Sequence, residues 1–229
     1  MSLENQVSSP ITPGGRWQPS PGHAPFVIAV IGLALIMVWL TDMGQNALTA
    51  QMTIADPRRF PWDLFSTFPG RVDALSATLA GGEVWRLISP DFLHFSWTHL
   101  IFNAVMLWFL GSQIEWIDGR ARLIALFVVS SLASNVLQYL VSGPLFGGLS
   151  GVVYGILGYC WLSQRRRPRF QFPPALVTFA LAWMVIGFTP LPEWLGLGSM
   201  ANEAHLGGFV AGLAMALVMP LNKKSPTQR

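Results

Sequence analysis

Six apolar runs punctuate the chain, at residues 25–42, 94–114, 121–142, 150–163, 174–189 and 201–220. In hydrocarbon no backbone polar group can stay unpaired, so each run is predicted to be a helix. A full span takes about 20 residues to cross a hydrocarbon core of roughly 30 Å. The fourth run falls short, because residues 150–163 would rise only about 21 Å. If its inner end sits at the cytoplasmic surface, its outer end stops inside the bilayer. That end reads GGLSGVVYG over 147–155, which puts Ser150 at the mouth of a cavity rather than in lipid.

The segments between the runs are polar or rich in glycine and proline. Residues 1–24 (MSLENQVSSPITPGGRWQPSPGHA) lack periodicity and read as a disordered cytoplasmic tail, with His23 inside it. They lack a basic stretch directly before the apolar run and a small-residue cleavage site, so they do not read as a signal peptide. Residues 221–229 form a second short tail, leaving 25–220 as the membrane domain. The connection over 43–93 is too long to be structureless. Its Phe60, Trp62, Phe65, Phe68 and Trp85 suggest a segment lying in the membrane interface.

Composition agrees with this pattern. The chain is 52% hydrophobic and only 11% charged, against about 25% charged for ordinary soluble domains. The net charge of +3 does not indicate nucleic-acid binding, because the cations fall between the apolar runs. With the N-terminus inside, the inner segments hold Arg16, Arg120, Arg122, Arg165, Arg166, Arg167, Arg169, Lys223, Lys224 and Arg229. The outer segments hold Arg58, Arg59, Arg71 and Arg86. Ten against four gives both termini inside and an even number of spans. The single cysteine, Cys160, allows no internal disulfide and is read as packing. No zinc-type ligand set is present.

Polar groups inside such runs are costly and are functional candidates. HFSWTHLIFN supplies His94, His99 and Asn103; the fourth run supplies Ser150 and Tyr154; NEAHLGGFVAG supplies Asn202, Glu203 and His205. His99 and Asn103, like Ser150 and Tyr154, are four apart and share a helix face. All three groups lie toward the outer ends of their helices and can meet at one depth. A serine, a histidine and extra donors at one level can perform nucleophilic acyl transfer. His205 is the candidate base for Ser150. His99, Asn103 and the backbone N–H of Ser150 are candidate donors to an oxyanion. Gly151 and Gly155, and Gly208 and Gly212, form two G-x-x-x-G patterns that let helices approach closely. Gly147 and Gly148 give the preceding loop freedom to bend.

Each signal also has a plain structural reading. G-x-x-x-G is mostly packing. A serine or asparagine at a helix start is often a cap, which applies to Ser150 and to Asn202. Glu203 is two residues from His205 and so points to another face, leaving no third member of a triad.

Taken together, the motifs resemble the rhomboid intramembrane serine proteases, over about residues 80–215. GLSG at 148–151, followed by VVYG, resembles the family's G-x-S-G. AHLGG at 204–208 resembles A-H-x-x-G, and HLIFN at 99–103 resembles H-x-x-x-N. Trp85–Arg86 and Glu115 also match family positions. Glu203, Pro90 and Asp91 depart from the pattern. The resemblance implies an all-α membrane protein, a six-transmembrane-helix rhomboid-like bundle of the simple bacterial form. It implies a Ser150–His205 dyad and oxyanion donors at His99, Asn103 and Ser150. Tyr154, Gly148, Gly151 and His94 would have supporting roles, with Tyr154 stacked under the base. No metal or cofactor is implied. The substrates would be transmembrane segments of other proteins, reached through a gate formed by the fifth helix and residues 190–200, in a bacterial plasma (inner) membrane. The competing readings are a catalytically silent rhomboid-like protein that escorts membrane clients, and a small-solute or proton transporter. The lack of two matching halves with broken helices weighs against the transporter.

Overall fold

A computed structural model describes residues 18–194 and 200–219 of the chain. The described residues are helical, with no strand among them. The helices are α1 (Pro25–Leu40), α2 (Ala47–Met52), α3 (Phe68–Ala80), α4 (Trp97–Ile117), α5 (Arg120–Ser142), α6 (Ser150–Arg166), α7 (Pro174–Gly187), α8 (Leu191–Trp194) and α9 (Asn202–Val218). Each of the six apolar runs carries one of the longer helices. Of these, α4 and α5 are long and apolar enough to cross a membrane by length and composition.

Helix ends differ from the apolar runs where local chemistry overrides hydropathy. The chain leaves α1 at Leu40, through Asp42 and Met43 at positive φ, rather than continuing to residue 42. At the second run, the Ser96 hydroxyl accepts the His99 N–H and starts the helix at Trp97. His94 therefore lies ahead of the helix and not in it. The same helix continues past residue 114 to Ile117, through one π turn at Leu107–Gly111. The helix of the fourth run, α6, extends beyond 163 to Arg166, and Pro168 follows its end.

The tail expected over 1–24 is not uniform. Residues 1–17, like the tail at 221–229, lie outside the described residues. Residues Pro21–His23 form a 3₁₀ turn, and His23 is buried edge-on against Trp116 with ring centroids 4.7 Å apart. The reason is the start of α1. The Glu115 carboxylate accepts the Phe26 N–H at 3.0 and 3.1 Å and the Val27 N–H at 3.1 Å. These are donors that a helix start leaves without intrahelical partners. Arg120 pairs with the same carboxylate at 2.8 Å, so one side chain ties α1 to the end of α4.

The connection over 43–93 is folded. Phe65 is buried with Ile54, Ala74 and Tyr139, while Trp62, Phe68 and Trp85 stay more than half exposed. All four arginines assigned to the outer side are engaged there. Arg58 and Arg86 reach Asp56, and Arg59 and Arg86 also reach Glu83. Arg71 donates to the carbonyls of Leu140 and Phe65. Arg86 donates to the carbonyls of Ala50, Gln51 and Thr53.

The centre of the fold is a three-helix contact of α5, α6 and α9, made by small residues. A Cβ added to Gly208 would stand 1.9 Å from the Gly151 carbonyl, and one added to Gly212 would stand 1.9 Å from that of Gly155. Added at Gly151 or Gly155, it would meet Ser134 or Ser130 of α5 at 2.6 Å or less. Gly207 is similarly tight against the Ala133 carbonyl of α5, at 2.8 Å. Backbone packs on backbone here, which only glycine permits.

Candidate active site

Ser150 is the first residue of α6, following Leu149 as the cap position. Leu149 offers no side-chain cap, and the Ser150 Oγ lies 3.0 Å from His205 Nε2. His205 is in the first turn of α9 and is 5% exposed. The two side chains meet because the glycine contacts bring the starts of α6 and α9 together. His205 Nδ1 has no hydrogen-bond partner among the described residues. The imidazole is held instead by Tyr154, whose ring stacks on it at a centroid distance of 4.5 Å and an interplanar angle of 25°. With the proton on Nδ1, Nε2 can accept the serine proton, which is what a dyad requires.

The side chains expected to serve an oxyanion cluster around His94. Its Nε2 lies 3.2 Å from Asn103 Nδ2 and is approached by the Leu149 N–H at 3.5 Å. Asn103 is 1% exposed, so the expected donor is fixed by a neighbour that the sequence placed in a lesser role. The His94 and His99 rings are 5.1 Å apart. His99 lies directly against Gly148, where an added Cβ would stand 2.4 Å from its Cε1. Gly148 has φ +121°, a conformation that other residues adopt with strain. Ser150, His205, Tyr154, His94, His99, Asn103, Gly148 and Gly151 thus gather at one place. Glu203 is half-buried and makes no ion pair among the described residues.

Several contacts around these side chains are not legible in the sequence. Asn202 is a tie and not a cap: its amide donates to the Gly187 carbonyl at the end of α7, at 2.5 Å. The Tyr154 hydroxyl donates to the Ala180 carbonyl of α7 at 2.8 Å. Gln138 Oε1 accepts the Ala204 N–H at 2.9 Å, beside His205. Gln138 and Asn135 are strong polar residues inside an apolar run, and that was the available signal. Part of the segment 190–200, residues 195–199, lies outside the described residues. Among those described, no group of three or more His, Cys, Asp or Glu side chains is placed to hold a metal ion.

Sequence comparison fits this arrangement. The family model described as "Rhomboid domain" matches residues 81–221, which carry every residue of the site. The chain belongs to the rhomboid family. It is 46% identical over 147 residues to the protein named rhomboid protease GlpG of Salmonella choleraesuis (strain SC-B67), covering 63% of this chain and 52% of the relative. It is 45% identical over 147 residues to the proteins of the same name from Salmonella newport (strain SL254) and Salmonella typhi, with the same coverage. The chain thus spans about half the length of the curated relatives it matches.

Proposed function

We propose that this chain is an intramembrane serine endopeptidase that cleaves peptide bonds in or near transmembrane segments of other membrane proteins. The observation that carries the reading is the 3.0 Å approach of Ser150 Oγ to His205 Nε2, with Tyr154 stacked on the imidazole. Residues 25–220 form the membrane domain, and α1, α4, α5, α6, α7 and α9 are its six spans. Both termini face the cytoplasm, and the membrane is a bacterial plasma membrane. Helices shorter than a full span, such as α6, leave their outer ends below the surface, where water can reach the dyad.

The chemistry follows from the donors and acceptors at hand. Ser150 Oγ adds to the scissile carbonyl carbon as its proton passes to His205 Nε2. The oxyanion so formed faces the Ser150 N–H, which has no intrahelical acceptor, and the side chains of His99 and Asn103. The imidazolium then gives its proton to the leaving amine nitrogen as the C–N bond breaks, leaving an acyl ester on Ser150. A water molecule attacks that ester as His205 takes its proton; the imidazolium then returns the proton to Ser150 Oγ as the ester C–O bond breaks, releasing the carboxylic acid product. Tyr154 keeps the imidazole in plane, a task that a buried carboxylate performs in a triad.

A serine-reactive fluorophosphonate tests the reading. The purified protein in detergent should label, Ser150→Ala should not, and His205→Ala should label far more slowly. A single-pass transmembrane substrate should be cut by the wild type and not by Ser150→Ala. Labelling indifferent to both substitutions would remove the dyad. Client stabilisation that survives Ser150→Ala would favour the catalytically silent alternative.

A further inference from the structure

The 3₁₀ turn Ser89–Phe92 holds a carboxylic acid that the chemistry above does not use. Asp91 is completely buried, at 0% exposure. Its Oδ1 accepts a 3.0 Å hydrogen bond from Asn135 Nδ2, and its Oδ2 accepts one from the Ser131 hydroxyl. Asn135 Nδ2 also donates to the Leu87 carbonyl, at 3.0 Å. Ser131 and Asn135 are four apart and so share one face of α5. Both partners are neutral. Burying a carboxyl group is costly unless its oxygens are satisfied, and here each oxygen has its own donor.

The next residue back in the turn faces the loop that leads into Ser150. The Pro90 carbonyl accepts the Gly148 N–H at 2.9 Å. Leu93 stands so close to Gly147 that an added Cβ would lie 2.5 Å from the Leu93 Cβ. The Leu149 N–H points toward His94, three residues beyond Asp91. The turn is therefore the support on which residues 147–149 rest. Its own fixed point is α5, which is locked to α6 by Ser130 and Ser134 against Gly155 and Gly151. The contacts form a closed circuit: α5 to Asp91, Pro90 to Gly148, Ser150 into α6, and α6 back to α5.

We propose that Asp91 is a positioning residue: by clamping the turn to α5, it sets the Pro90 carbonyl that receives the Gly148 N–H, and with it the placement of the Leu149–Ser150 backbone facing the oxyanion. The proposal rests on the peptidase reading above. Asp91 touches no substrate and acts through Pro90. Neither Asp91 nor its two partners carries a sequence motif for this role; the relationship exists only because loop and helix meet.

The test measures kcat, KM and hydrogen exchange over residues 143–149 for the wild type, Asp91→Ala, Asp91→Asn and Asn135→Ala. Misplacing a reacting group by about 1 Å can cost about 100-fold in rate. Asp91→Ala should accordingly lose about 10- to 100-fold in kcat, with KM within about twofold, and should exchange faster at 143–149. Asp91→Asn should recover most of the turnover, since its amide can accept from Asn135 and donate to the Ser131 hydroxyl. Asn135→Ala keeps the Ser131 bond and should show a smaller loss of the same kind; it carries the test if Asp91→Ala does not fold. Wild-type kcat and exchange in the folded alanine variant would overturn the proposal. So would a raised KM with exchange quickened equally in every helix, which would make Asp91 a residue of general stability. Failure of the peptidase reading looks different: the wild type would show no cleavage that depends on Ser150, while exchange at 143–149 would still report whether Asp91 holds the loop.

Discussion

Tyr154 stacks on His205 and, through its hydroxyl, donates to the Ala180 carbonyl of α7. One side chain on α6 thus touches both the candidate base and a neighbouring helix that buries only Val177. The two contacts can be separated. Tyr154→Phe keeps the ring and loses the bond to α7; Tyr154→Ala loses both. An aromatic stack contributes about 0.5–1.5 kcal/mol beyond its area, so Tyr154→Ala should label with fluorophosphonate about 2- to 10-fold more slowly. Tyr154→Phe should label at close to the wild-type rate. It should, however, show faster hydrogen exchange in α7, because a bond of about 1 kcal/mol is gone. Equal losses in both variants would mean that the hydroxyl, and not the stack, positions His205.

The glycine contacts set a sharper steric limit. A methyl group at Gly212 would stand 1.9 Å from the Gly155 carbonyl, where no flexible side chain can give way. Gly212→Ala should therefore destabilise by about 1–3 kcal/mol, as overpacking does. It should also slow the labelling of Ser150, because α6 and α9 must move apart. Gly32, inside α1, has open space at the same position. Gly32→Ala should instead stabilise by about 0.5–1 kcal/mol, since alanine fits a helix interior better. Thermal unfolding in detergent measures both, and opposite signs are expected.

Glu115 holds the start of α1 by accepting from Phe26 and Val27, and pairs with Arg120. Hydrogen bonds to a charged group contribute about 1.5–3 kcal/mol each, and their loss leaves helix-start donors unpaired. Glu115→Ala should lower stability by about that amount and speed exchange at Phe26 and Val27. Little change should appear in the Ser150–His205 contact, which lies on other helices. A catalytic defect without a stability defect would contradict this assignment.

Acid should loosen the connection over 43–93 before the helices. The hydrogen bonds from Arg58 to Asp56 hold its carboxyl below the ordinary carboxylate range, with the charge of Arg86 adding to the effect. A group whose folded pKa is depressed contributes stability that is present above its unfolded pKa and lost as pH falls through the folded value. The loss should therefore begin below about pH 4. Limited proteolysis of residues 43–93 as a function of pH should show cleavage rising in that acid range. Asp56→Asn should be sensitive already at neutral pH and show less further change there. An acid response identical to the wild type would exclude Asp56 as its source.

Much of this protein was legible in the chain itself. The apolar runs at 94–114 and 121–142 became α4 and α5 because hydrophobic length is a one-dimensional property. The same holds for Ser150 with Tyr154 and for His99 with Asn103, since helical periodicity alone puts residues four apart on one face. Spacing also marked Gly151, Gly155, Gly208 and Gly212 as places where helices could approach. It could not say which helices would do so. That α5 joins the contact through Ser130 and Ser134 depends on three elements meeting, and so does the proximity of Ser150 to His205. Hydropathy puts His94 inside the second run, but the cap at Ser96 leaves it ahead of the helix, beside Asn103 and the Leu149 N–H. Local composition makes His23 part of a tail, but the Glu115 carboxylate, 92 positions away, holds the chain at Phe26 and Val27 just after it. Asp91 stood out only as an unusual letter until its two donors on α5 were in place. Local sequence fixes what a segment prefers and what it can offer. Which offers are taken up is decided by packing between segments far apart in the chain, where the energy of a contact depends on a partner that no local pattern names.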